Sequence, residues 1–142
     1  MPLITTVADA VVAELNSKTF SLPFTAQRHY QPHYELKDLK SLHVTVIPNS
    51  LTTGNLGRGV QQQEVAIDIA VQQKLTRETH ADLDPLLALA EEIAESFQAK
   101  RLTAYPAAIW KQTDFRAIYS AEHLHQNRQF TSVMTITFKI MT

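Results

Sequence analysis

The chain contains no cysteine, which removes disulfides, thiolate nucleophiles and Cys-based zinc sites together and suits a reducing cytoplasm. It also has no surplus of either charge: thirteen basic residues stand against fourteen acidic ones, for a formal charge of −1. No run of basic residues appears, so general nucleic-acid affinity through counterion release is poorly supported. Nowhere do ~18 apolar residues follow one another, so no membrane-spanning helix is expected. Met1-Pro-Leu-Ile-Thr-Thr-Val lacks the basic stretch and apolar core of a signal peptide, and the expected product is soluble and intracellular. Glycine is nearly absent as well. All three glycines fall at Gly54, Gly57 and Gly59, marking the one place where the backbone is built to be permissive.

The 142 residues are 44% hydrophobic and 19% charged, a globular composition for a single domain spanning residues 1–142. Thr6–Lys18 carries Val7, Ala8, Val11, Val12 and Leu15 at helical spacing, with Thr6 as its cap and Asp9 in the first turn. Pro23 and Pro32 bracket an extended stretch, Phe24–Tyr30, read as a first strand. A connector, Tyr34–Leu42, leads to a second strand from His43 that stops at Pro48. A polar loop, Asn49–Gly59, follows. Then Val65, Ile67, Ile69 and Val71 alternate with Ala66, Asp68, Ala70 and Gln72, the pattern of a strand with one apolar face. The two strands form an expected antiparallel hairpin with a long excursion at its tip.

Asp84-Pro85 opens the next expected helix, whose stripe is Leu86, Leu89, Ala90, Ile93 and Phe97. Glu91, Glu92 and Glu95 lie largely outside that stripe, and Lys100-Arg101 closes the helix. Ala107–Thr113 reads as extended and Ala121–Gln129 as turn-like. Phe130–Ile140 forms a last strand, with Phe130, Met134, Ile136, Phe138 and Ile140 on one face. The expected fold is therefore α+β, two helices packed on a mainly antiparallel sheet in the order α-β-β-β-α-β-β.

The chemistry is sparse. Gly54-Asn-Leu-Gly-Arg-Gly invites a phosphate loop, but a strand follows it instead of a helix, and no Lys-Ser/Thr pair is present. His123 and His125 would share a face if extended, and with Glu122, His29 and His33 they offer the beginnings of a zinc site. Ordinary histidines explain them better. Asp82 and Asp84 suit a helix start, Asp68 a solvated strand face, and no serine sits in a G-x-S-x-G motif. No catalytic residue, cofactor site or metal site is assigned, and the chain is expected not to be an enzyme. Gln61-Gln-Gln and Gln72-Gln73 suit a solvated sheet edge or pairing with a neighbouring subunit. Trp110, Phe115 and Tyr119 suit either the core or an interface. The acidic run Glu91, Glu92, Glu95 reads as a solvated helix side, or as a face offered to Arg116 or Arg128 of another subunit.

In order, the segments resemble the tail terminator (tail completion) proteins of long-tailed bacteriophages. The resemblance is carried by the N-terminal amphipathic helix, Arg28-His-Tyr, and the run from Tyr34 through Ser41-Leu-His-Val-Thr-Val-Ile-Pro. It continues in Glu64-Val-Ala-Ile-Asp-Ile-Ala-Val-Gln-Gln-Lys-Leu, the helix from Asp84, and Ala121-Glu-His-Leu with Phe130-Thr-Ser-Val-Met-Thr-Ile-Thr-Phe. It implies a structural protein that assembles as a homohexameric ring, caps the finished tail tube and presents a surface for head joining. The implied partners are further copies of the chain, the tail tube protein and a head–tail connector protein, with DNA at most passing through the ring. The implied location is the virion's tail–neck region, after assembly in the host cytoplasm. The family has no catalytic residues to carry over. Leu51, Asn55, Leu56 and Arg58 in the glycine loop are the expected contact residues. A head-side neck or connector protein is the alternative within the same class. A small ligand- or metal-binding module and, less favoured, a regulatory partner are alternatives outside it.

Overall fold

The computed structural model describes residues 2–30, 41–75, 80–115 and 118–141. The elements run α1 (Leu3–Asn16), β1 (Ala26–Arg28), β2 (His43–Gly57), β3 (Val60–Lys74), α2 (His80–Phe97), β4 (Ile109–Phe115), α3 (Ala121–Asn127) and β5 (Gln129–Met141). Five strands form one sheet in the order β1-β2-β3-β5-β4. Only β1 and β2 pair in parallel; every other neighbouring pair is antiparallel. The fold is the expected α+β arrangement, with α3 added where a turn-like segment was expected.

Alternation in β3 and β5 places the core. Val65, Ile67, Ile69 and Val71 share one sheet face with Phe130, Met134, Ile136, Phe138 and Ile140, and all are buried. The α1 residues Val7, Ala8, Val11 and Leu15 join the same cluster, as does the whole expected stripe of α2. Both long helices therefore cover that face. Phe97 of α2 meets Phe138 of β5 edge-on, with ring centroids 6.2 Å apart, a favoured aromatic geometry.

Several boundaries differ from expectation for physical reasons. Helix α1 begins at Leu3 after Pro2, and Thr6 donates its hydroxyl back to the Pro2 carbonyl instead of capping. Asp9 pairs with Arg28 at 2.7 Å, so its partner is tertiary. The first strand narrows to Ala26–Arg28, and the connector before Ser41 lies outside the described residues. Pro85 sits inside α2 and not at its first position; it forgoes one backbone bond, while the stripe after it is buried in full. Helix α2 ends at Phe97, so Lys100 and Arg101 fall beyond its last turn. Ser120 caps α3 by accepting the N–H of His123, and Arg128 ends it in the left-handed region at φ 50. Pro48 does not stop β2, and that difference creates the site described next.

Candidate interaction site: the hairpin arm

The β2–β3 ladder runs from His43↔Gln72 out to Gly57↔Val60. What reads as a loop from Asn49 to Gly59 is thus mostly paired strand, with Arg58-Gly59 alone turning the chain. Gly59 adopts φ +71 and Gly57 φ +150, values that side-chain-bearing residues rarely reach. Gly54 lies in ordinary strand backbone, where an added Cβ would stand 4.0 Å from the Gln62 carbonyl oxygen, an ordinary contact.

The ladder accommodates Pro48 through a register shift between Pro48 and Ser50. Pro48 lacks an N–H, and a bulge is one of the few places in a sheet that tolerates this. Asn49, the extra residue, donates its Nδ2 to Asp68 at 2.9 Å, and Asp68 also accepts the Thr135 hydroxyl at 2.7 Å. The root of the arm is thereby tied to the two central strands. The shift also exchanges faces: Leu51 stands opposite Val65, on the core side, yet past the helices and exposed.

Beyond this root the arm stands clear. Strand β1 covers β2 only at Val44–Val46, and β5 reaches along β3 as far as Gln62, opposite Met141. Among the described residues, no strand pairs with the outer side of β2 from Pro48 to Gly57, a length on the order of 30 Å. Leu56 is 55% exposed and Met141 56%, with Leu51 and Val60 close behind. At the tip, Asn55 accepts the N–H of Gly57 at 3.1 Å. Arg58 is the one charged residue between Asn49 and Gln61, and it is exposed.

The ends of the sheet are treated differently. At β1, both backbone groups of Ala26 are bonded by the side chain of Asn16. At β4, a register shift at Trp110/Gln112, the Trp110 N–H bonded to the Lys100 carbonyl, and a bridge from Arg101 to Ile109 interrupt the edge. Lys111 leans from β4 onto Glu64 at 2.5 Å. Its hydrogen bond and charge hold the Glu64 carboxyl below its ordinary range, assisted by Gln62. Short edges, bulges and lysines are the usual protections against unwanted strand pairing. The arm has few of them.

The four expected contact residues, Leu51, Asn55, Leu56 and Arg58, all lie on this arm. Val60 and Met141 extend the same exposed region and were not expected; breaking the strand at Pro48 hides the register that brings them beside it. The glutamines are placed differently from expectation, because β3 is flanked by β2 and β5 and is no sheet edge. Gln72 is buried and Gln62 serves Glu64.

The other candidates do not assemble. His123 lies on helix α3, so the extended backbone required for His123 and His125 to share a face is not met. The His123 Nδ1 lies 2.9 Å from the Thr131 hydroxyl. His29 is exposed beside Gln27, and His33 lies outside the described residues. Among the described residues, no group of three or more His, Asp or Glu side chains is placed to hold a metal ion. Trp110 and Phe115 pack partly against the core, and Tyr119 is exposed. No helix of the described residues is long and apolar enough to cross a membrane.

No family model and no curated protein matches this chain. Among solved structures, the chain is similar to the sheath/tube terminator of an extracellular contractile injection system, PVC, in its extended state, determined by electron cryo-microscopy. The TM-score is 0.47 and the identity 11%; the match covers 100% of this chain and 57% of that one. At that level the likeness carries neither a fold nor a role across.

Proposed function

We infer that the chain is a non-catalytic subunit of a tail-like particle, a tail terminator that closes as a ring, six-membered by the family resemblance, on the end of the tail tube. The observation that carries this reading is the arm: a protruding hairpin whose outer β2 edge, among the described residues, has no strand partner from Pro48 to Gly57. An exposed strand edge of this kind is a template for pairing with another chain. The segment order shared with tail terminators supplies the kind of assembly. In this role the ring presents one side to the tube protein and the other to the head–tail connector, with DNA passing through its centre. It resides in the tail–neck region of the virion after assembly in the host cytoplasm.

The test is polymerisation of a tail tube protein of the same particle, with and without the purified protein, imaged by electron microscopy. Capped tube ends and arrested growth are expected. Bare ends and unchanged tube lengths would overturn the reading.

A further inference from the structure

A second stretch of strand edge lies on the opposite side of the sheet from the arm. In the order β1-β2-β3-β5-β4, strand β4 is terminal, and among the described residues no strand pairs with its outer side from Gln112 to Phe115. The Lys100–Arg101 segment meets only the end at Ile109 and Trp110. At the other terminal strand, β1, the Asn16 side chain occupies both backbone groups of Ala26.

Three relationships match the β4 edge to the outer edge of β2. The first is height. Ser50 pairs with Ala66, Ala66 with Thr137 and Thr137 with Gln112. Ser50 and Gln112 thus end one cross-strand row, and copies set side by side bring the two edges together with little slide along the strands. The second is direction. The pairs β2–β3, β3–β5 and β5–β4 are all antiparallel, so β4 runs opposite to β2. A neighbour related by rotation about an axis along the strands therefore presents β4 antiparallel to β2, the more stable pairing. The third is side-chain character. Leu51 stands opposite Val65 and Phe115 opposite Met134, so both lie on the helix-covered face, where Leu51 is 45% exposed. Arg58 is the arm's single charge and Asp114 the single charge of Gln112–Phe115, so no like charges meet.

We propose that the outer edge of β2, within Pro48–Gly57, pairs antiparallel with Gln112–Phe115 of a second copy and continues the sheet from subunit to subunit. Backbone hydrogen bonds supply the attraction, and covering Leu51 adds apolar burial. An arm paired with the same arm of another copy is isologous and stops at two subunits. Pairing β2 with β4 is heterologous, engages both edges of every copy and propagates until a ring closes. The inference rests on the ring reading above and names the contact that builds the ring.

Amide hydrogen exchange on the wild-type protein, above and below the half-assembly concentration found by native mass spectrometry, tests it. Assembly is expected to protect Pro48–Gly57 and Gln112–Phe115 together and to leave Ala26–Arg28 unchanged. Proline substitution gives a second readout. Neighbouring residues of an antiparallel strand aim their backbone groups to opposite sides, so one of Thr52→Pro and Thr53→Pro spares the ladder with β3. That variant should keep its circular dichroism and raise the half-assembly concentration by roughly tenfold or more. A closed oligomer in which the arm gains protection and Gln112–Phe115 does not overturns this contact and leaves the ring reading standing. So does a closed oligomer indifferent to both prolines. A wild-type protein that stops at two copies, or is monomeric at every concentration, overturns both.

Discussion

The side chain of Asn16 closes the outer edge of β1 by bonding both backbone groups of Ala26. Its Nδ2 donates to the Ala26 carbonyl at 3.1 Å, and its Oδ1 accepts the Ala26 N–H at 2.8 Å. One amide at the end of α1 thus takes the place of a further strand and ties the first helix to the sheet.

Asn16→Ala should therefore cost about 1–3 kcal/mol, because it leaves two half-buried backbone groups without their partner. The urea midpoint should fall with an unchanged slope. Asn16→Asp keeps the acceptor but sets a carboxylate against the Ala26 carbonyl, and it should be at least as damaging as alanine.

Glu14 predicts an acid-side dependence. It is 9% exposed, and burial alone raises its pKa. The Thr103 N–H at 2.9 Å, the Thr103 hydroxyl and Lys18 outweigh burial, so the net shift is downward from 4.5. A carboxyl depressed on folding contributes stability that is fully present above its unfolded value and is lost as the pH falls through its folded value. Urea titrations at successive pH values should show wild-type stability declining below about pH 4.5. The decline should be shallower in Glu14→Gln, which should also be less stable than wild type at neutral pH.

Two glycines of the arm should respond oppositely to alanine. Gly59 at φ +71 should strain by about 1 kcal/mol or more. Gly54 has ordinary backbone and room for a Cβ at 4.0 Å from the Gln62 carbonyl oxygen, so Gly54→Ala should be neutral or slightly stabilising. Amide hydrogen exchange at Gln61–Gln63 is the suitable readout, since strain at the tip should speed local opening while leaving the global transition in place.

Phe97→Ala should cost about 3–5 kcal/mol, because the ring is buried between α2 and the sheet and meets Phe138 edge-on. By contrast, Leu56→Ser and Arg58→Ala should leave the unfolding midpoint within about 0.5 kcal/mol of wild type. That contrast separates residues kept for the fold from those on the arm.

The core was legible because periodicity is a local signal. The α2 stripe and the alternations of β3 and β5 are buried as their spacing implies. Boundaries set by tertiary partners were not legible. Pro48 reads as a strand terminator, and only the bulge and the Asn49–Asp68 bond show how the ladder passes it. Pro85 reads as a helix start, yet residues on both sides of it are helical. The clustered glycines located the arm's tip, but not its length, because Leu51, Thr53 and Asn55 offer no apolar alternation to extend a strand through. Met141 joins the exposed region through pairing with Gln62, a relation between distant positions that no local pattern reveals.

The most direct measurement of the central claim is native mass spectrometry of the untagged wild-type protein over a concentration series, followed by electron microscopy of the largest species. The account predicts one closed oligomer of fixed size, six copies by the family resemblance, with few species between it and the monomer. A monomer at every concentration, or an open series of lengthening oligomers, would contradict it.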